Sequence, residues 1–172
     1  MIFVCSLNAV ETTIAENKPS HLISLLGEES MIDTPDAIAA GNHLKLAMND
    51  ISAPQQGYVT PGQTHVKRLI RFIEDWPQTS PLLIHCWAGI SRSTAAAYIT
   101  LCLTNPDEDE HTLAQILRQA SPSATPNRLI VGLADNMLGR NGHMIEAINA
   151  IGRGASAWQG EVFSLPLKLH ED

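Results

Sequence analysis

Short apolar runs alternate with longer amphipathic ones along this chain, and the alternation predicts strands threaded between helices. Ile2 to Cys5 and His21 to Leu26 read as short buried strands. Asn8 to Asn17 lies between them as a possible helix, followed by Pro19. This strand–helix–strand order favours a parallel sheet with helices packed on it. His43 to Leu46 is a further possible strand with partial alternation. At Thr60 a helix start is predicted. Thr60 reads as the N-cap, Pro61 suits the first helical position, and Gln63 completes a capping box. Val66, Leu69, Ile70 and Ile73 mark its apolar face and Pro77 ends it, before a short apolar strand over Pro81 to His85.

Ser91 to Thr104 has almost no polar face, so the expected helix there is buried all round. Asp107 to Ala120 should be amphipathic, with acids in its first turn and Leu113, Ile116 and Leu117 inward. Thr125-Pro126 repeats the cap-and-proline start, and Leu129, Ile130, Leu133 and Met137 continue that helix. A last helix is expected from Gly142 to Ile151. The tail beyond Gly152 is Gly-rich, then apolar around Val162 to Leu169, and takes no assignment. The expected fold is one α/β domain over residues 1–172: a mostly parallel sheet of four or five strands with helices on both faces.

Composition narrows the function classes. The 172 residues are 44% hydrophobic and 17% charged, a globular balance. With 11 basic and 18 acidic residues the formal charge is −7, which argues against nucleic acid or an anionic membrane as partner. It leaves room for one local anion pocket. No apolar stretch is long enough to cross a membrane, and Met1 to Ser6 reads as a strand, not a signal peptide. Three cysteines, Cys5, Cys86 and Cys102, without framework spacing fit a reducing, cytoplasmic setting. The seven histidines show no metal-site spacing, and no metal or organic cofactor is expected.

The chemistry concentrates in His85-Cys86-Trp87-Ala88-Gly89-Ile90-Ser91-Arg92-Ser93, between an apolar strand and the buried helix. A loop in that setting points successive backbone N–H groups at one spot, and the helix start adds unpaired donors. Such a nest binds an anion such as phosphate. A cysteine at its floor is favoured as thiolate by the amides and by Arg92. Gly89 allows close backbone approach, and the planar fork of Arg92 can grip two phosphate oxygens. Ser93 can donate to the sulfur, and His85 can orient the loop. Trp87 is either a recognition aromatic at the mouth or plain packing. Cys5 and Cys102 read as small buried hydrophobes, with a protective disulfide to Cys86 as the open alternative.

Cys86, five intervening residues, then Arg92 and Ser93, preceded by His85, resembles the HCxxGxxR[ST] signature of cysteine-dependent protein tyrosine phosphatases. Short length and a mid-chain loop are most similar to the dual-specificity branch, in a compact bacterial-like form. The resemblance covers roughly Leu44 to Leu138. It implies a phosphocysteine mechanism on a phosphorylated protein or another phosphate monoester, phosphotyrosine first. Trp87 to Arg92 would hold the phosphate. It also implies a general acid upstream, where Asp50 stands, with Asp33 and Asp36 as poorer substitutes. Thr125-Pro126-Asn127 is similar to a Pro-Asn segment that packs near the site in that family, with no catalytic role carried onto Asn127. Trp76-Pro77-Gln78 is similar to the WPD loop of the larger tyrosine phosphatases, but lies too close to Cys86 and has Gln for Asp. It reads as a helix stop. Two rivals remain: an idle phosphate-binding module recruiting a phosphorylated partner, and a rhodanese-like sulfur transferase.

Overall fold

A computed structural model describes residues 1–169. Among these residues, five strands form one sheet in the order β3-β2-β4-β1-β5. The strands are β1 (Ile2–Ser6), β2 (His21–Leu26), β3 (His43–Ala47), β4 (Leu82–Cys86) and β5 (Phe163–Leu165). β1, β2, β3 and β4 run parallel, while β5 is antiparallel on the outer edge of β1. The helices are α1 (Val10–Asn17), α2 (Gln63–Asp75), α3 (Arg92–Thr104), α4 (Glu110–Ala120), α5 (Arg128–Leu138) and α6 (His143–Ile151). None of them is long and apolar enough to cross a membrane.

The two sheet faces carry different loads. Side chains alternate along each strand, so Ile2, Val4, Ile23, Leu25, Ile84 and Cys86 face one layer, built from α2 through α6. Cys5, Leu22 and Leu83 face the other, where α1 contributes Val10 and Ile14 and the crossing between β2 and β3 contributes Ile38. Helices on both faces are therefore found, five on one side and one on the other. β4 is buried along its whole length, as a central parallel strand should be. α3 packs on β4, β1 and β2 and buries Arg92 through Cys102 without a break. Its Ala95-Ala96-Ala97 run lets the helix axis approach the sheet closely.

Several expected boundaries move, for one shared reason. Both Thr-Pro pairs precede their helices instead of opening them. Gly62 is extended (φ −138°, ψ 173°) and caps α2, and its amide donates to His65 Nδ1 at 3.1 Å. Thr60 and Pro61 thus lie outside α2. Asn127 caps α5, with Oδ1 accepting from the amides of Leu129 and Ile130, both at 3.1 Å. The fixed φ of proline suits extended backbone as well as helix, and a downstream cap decides the start. Likewise Asp109 caps α4 by accepting from the Thr112 amide at 2.9 Å, so Asp107 lies outside that helix. Met137, expected within this helix, lies in the last turn of α5 and is 39% exposed. Trp76 does end α2; it is buried and donates Nε1 to Ser80 O at 3.1 Å.

The tail is structured. Arg118 of α4 gathers it, donating to Ile151 O at 3.1 Å, Gly152 O at 2.9 Å and Ala124 O at 2.8 Å. The chain then crosses toward the carboxyl end of β4 before β5 joins the sheet.

Candidate active site

Parallel strands end together, and their carboxyl ends are where α/β sheets hold ligands. β4 ends at Cys86 and α3 starts at Arg92, so Trp87 to Ser91 turn above that edge. Neighbouring groups hold the turn by its carbonyls. Trp87 O accepts from the Leu7 amide at 3.1 Å and Ala88 O from the Gly160 amide at 2.8 Å. Ile90 O accepts from the Thr125 amide at 2.9 Å, and Ser91 O from the Ala95 amide at 3.0 Å and the Asn127 amide at 3.2 Å. The described peptide bonds are all trans. In a planar trans peptide the N–H points opposite to the C=O. The amides of Ala88, Gly89, Ser91 and Arg92 are thereby turned away from the supporting shell, as an anion nest requires.

Gly89 has φ +72°, and a Cβ there would lie 2.8 Å from Ser6 N and 2.9 Å from Cys5 C. The loop is seated directly on the backbone at the end of β1, and only glycine fits. Gly160 packs against it in turn; a Cβ on Gly160 would come 2.9 Å from Gly89 O.

The side chains follow from this frame. Cys86 is buried, and its Sγ lies 3.1 Å from Oγ of Ser93, the second residue of α3. Arg92 is 6% exposed and donates Nη1 to Met48 O at 2.7 Å, which fixes its guanidinium beside the end of β3. Its buried Nε has no hydrogen-bond partner. A buried unpaired donor on a cation costs free energy unless an anion meets it. Trp87 is 60% exposed at the rim.

Asp50 follows β3 on an exposed loop that Asn49 and Val59 close with two 2.8 Å hydrogen bonds. Its Oδ1 accepts from Ser91 Oγ at 2.7 Å and from Asn127 Nδ2 at 2.9 Å. The carboxylate is thus tied to the Cys86–Arg92 loop. Asp33 and Asp36 lie between β2 and β3 and line a cavity with Leu7 and Glu11. Cys5 points to the α1 side of the sheet, opposite Cys86, and Cys102 lies within α3; all three cysteines are free. Among the described residues no group of three or more His, Cys, Asp and Glu side chains is placed to hold a metal ion.

His85 faces away from the loop, into the smaller layer. Its Nε2 lies 2.6 Å from Ser24 Oγ, which lies 2.8 Å from His43 Nε2, while His43 Nδ1 lies 2.9 Å from Thr34 Oγ1. This row runs across β4, β2 and β3. Burial first, then the nearby positive charge of Lys45 on His43 and the charges of His43 and Arg92 on His85, hold both imidazoles down to about 4. Both are therefore neutral near pH 7.

The sequence did not reveal three of these features: the Asn127 bridge to Asp50, the Ser24–His43–Thr34 row and the support from Gly160. Ser24 carried a signal, as a polar residue in an otherwise apolar strand. Asn127 is a cap whose amide nitrogen was free for a second task. Gly160 gave no local signal, because its meaning depends on a loop 71 residues away (160 − 89).

No family model and no curated protein matches the sequence. Solved structures do resemble the fold. Human DUSP28 is similar over 81% of this chain and 89% of its own, with 17% identity and a TM-score of 0.62. DUSP15 is similar over 87% and 90%, with 19% identity and a TM-score of 0.59. The Cydia pomonella PTP-2 phosphatase is similar over 78% and 84%, with 20% identity and a TM-score of 0.58. The chain has the fold of the dual-specificity and tyrosine phosphatases.

Proposed function

We propose that the chain hydrolyses phosphate monoesters through a phosphocysteine on Cys86. The observation that carries this reading is the loop itself. Its carbonyls are held outward, a thiol lies at one end, a guanidinium with a buried unpaired Nε lies at the other, and a carboxylate is tied to its side.

Each group then has a step. The amides of the loop and Arg92 bind the three non-bridging oxygens, orient phosphorus in line with Sγ, and stabilise the charge spread over them in the transition state. The Cys86 thiolate attacks phosphorus, an S–P bond forms, and the P–O bond to the leaving group breaks. Asp50 gives its proton to the departing oxygen. Ser91 and Asn127 both donate to Oδ1, so the proton is carried on Oδ2. In the second half Asp50 takes a proton from water as the water oxygen attacks phosphorus. The S–P bond breaks, phosphate leaves, and Ser93 stabilises the returning thiolate by donating to Sγ.

Phosphotyrosine-type aryl esters are the proposed substrate class. Trp87 offers an exposed aromatic face at the rim. Trp87 to Ser91 contain no lysine or arginine to meet the extra phosphates of an inositol lipid. Turnover of p-nitrophenyl phosphate by the wild type, and its loss in Cys86→Ser, tests the reading. An inert wild-type protein, or a serine variant that turns over normally, overturns it.

A further inference from the structure

Among the described residues, four buried side-chain nitrogen or oxygen atoms lack a hydrogen-bond partner: Ser6 Oγ, His85 Nδ1, Arg92 Nε and Arg118 Nε. The first three belong to the Cys86 loop or to the strands that end beside it. Buried polar groups are normally paired, and an exception calls for a reason. Arg92 has one in the phosphate it is proposed to grip. The Ser6 hydroxyl takes no part in the steps above.

Among the described serines, Ser6, Ser24 and Ser93 have no exposed surface. The hydroxyls of Ser24 and Ser93 are engaged, with the two histidines and with Cys86 Sγ. Ser6 precedes a short 3₁₀ turn over Leu7–Ala9. A serine in that position commonly folds its hydroxyl back onto the amides of the turn, and Ser6 makes no such bond.

Ser6 ends β1 directly opposite Cys86 at the end of β4, the last pair of their parallel ladder. Val4 and Cys86 face the α3 layer, and Cys5 faces α1. Alternation therefore turns Ser6 to the α3 side, in one row with Cys86. Neighbouring strands lie about 4.8 Å apart. Rotation about the Cα–Cβ bond of Ser6 swings Oγ toward Sγ or away from it. Gly89 closes over the same place, where its own Cβ would lie 2.8 Å from Ser6 N. A neutral thiol is a weak acceptor, whereas a thiolate draws in a charge-assisted hydrogen bond.

We infer that Ser6 is a second hydroxyl donor to the Cys86 thiolate, reaching Sγ from β1 as Ser93 reaches it from α3. The hydroxyl is unpaired beside the thiol and paired once the proton has left for solvent. The inference rests on the phosphatase reading for its consequence, a nucleophile more often ionised and a better leaving group when water attacks the phosphocysteine.

Alkylation of the Cys86 peptide by iodoacetamide across pH, read by mass spectrometry, reports the thiolate without turnover. Cys5 and Cys102 do not compete, because burial pushes both thiols up to about 12. Arg92, Asp50, His85 and Cys5, the titratable groups on the elements around Cys86, stay in place in every variant. Ser6→Ala should move the alkylation curve upward by about one pH unit, as for one lost hydrogen bond to a charged group. Its Tm should hold or rise, since the variant removes a buried unpaired hydroxyl. Ser6→Thr keeps the hydroxyl and should keep the curve. An unmoved curve in Ser6→Ala, or an equal move in Ser6→Thr, would overturn the inference. A protein that turns over no p-nitrophenyl phosphate yet shows the moved curve in Ser6→Ala keeps Ser6 as the donor and loses the proposed reaction.

Discussion

Asp50 is exposed, yet it is the most constrained carboxylate at the site. Ser91 and Asn127 converge on one of its oxygens, leaving Oδ2 free to exchange a proton. If Asp50 acts as the acid, Asp50→Asn lowers kcat by about 10²–10⁴-fold on an alkyl or phenyl phosphate. The loss shrinks for a very acidic leaving group, which departs without a proton, and the basic limb of the pH–rate profile flattens. Near-normal kcat on a poor leaving group would remove Asp50 from the mechanism. Asn127 separates two effects. Asn127→Ala loses the cap of α5, at a cost of about 1 kcal/mol, as well as the bridge to Asp50. Asn127→Asp keeps an N-cap acceptor but cannot donate to Asp50 and places a second carboxylate beside it. It should keep most of the stability and lower kcat by up to about 10²-fold, the lower side of a general-acid contribution. A full kcat in Asn127→Asp would show that the bridge is dispensable.

The elements with the strongest patterns were the legible ones. β2 spans His21–Leu26 as its apolar run predicts, and α3 is buried all round as its missing polar face predicts. α3 also yields a sharp expectation. Ala96 is fully buried, so Ala96→Leu forces side chains into a filled space and should cost about 1–3 kcal/mol in chemical denaturation. A cost near zero would mean that α3 sits further from the sheet than described. Helix starts were less legible, because the caps of α2, α4 and α5 are Gly62, Asp109 and Asn127, each two residues beyond the expected start. Thr125 and Asn127 compete within three residues, and Asn127 prevails through the Leu129 and Ile130 amides. The signature loop was legible because its residues are contiguous. Its support was not, because Leu7, Thr125 and Gly160 reach it only in the folded chain.

At the scale of the molecule, the tail and the histidine row tie the site to global stability. β5 pairs with β1, and β1 carries the backbone on which Gly89 rests. His85, buried, and His43, half-buried, predict an acid response. His43 and His85 bind a proton at about 4 when folded, below the usual value of 6.5. The unfolded chain therefore takes up more protons between those values. Their contribution to stability is fully present above about pH 6.5 and is lost as pH falls toward about 4. Tm should drop across that window, and His43→Gln should lessen the drop. A Tm that stays flat from pH 6.5 to pH 4 would contradict the neutral histidine row.

A phosphoryl group carried on Cys86 can be trapped during turnover. The enzyme is mixed with a phosphate-labelled aryl ester, quenched in acid during turnover, digested and analysed by mass spectrometry. A phosphorylated peptide containing Cys86 is expected, accumulating further in Asp50→Asn, where a slowed second step leaves the thiophosphate standing, and absent in Cys86→Ser. Turnover with no phosphate on Cys86, or phosphate found on another residue, would contradict it.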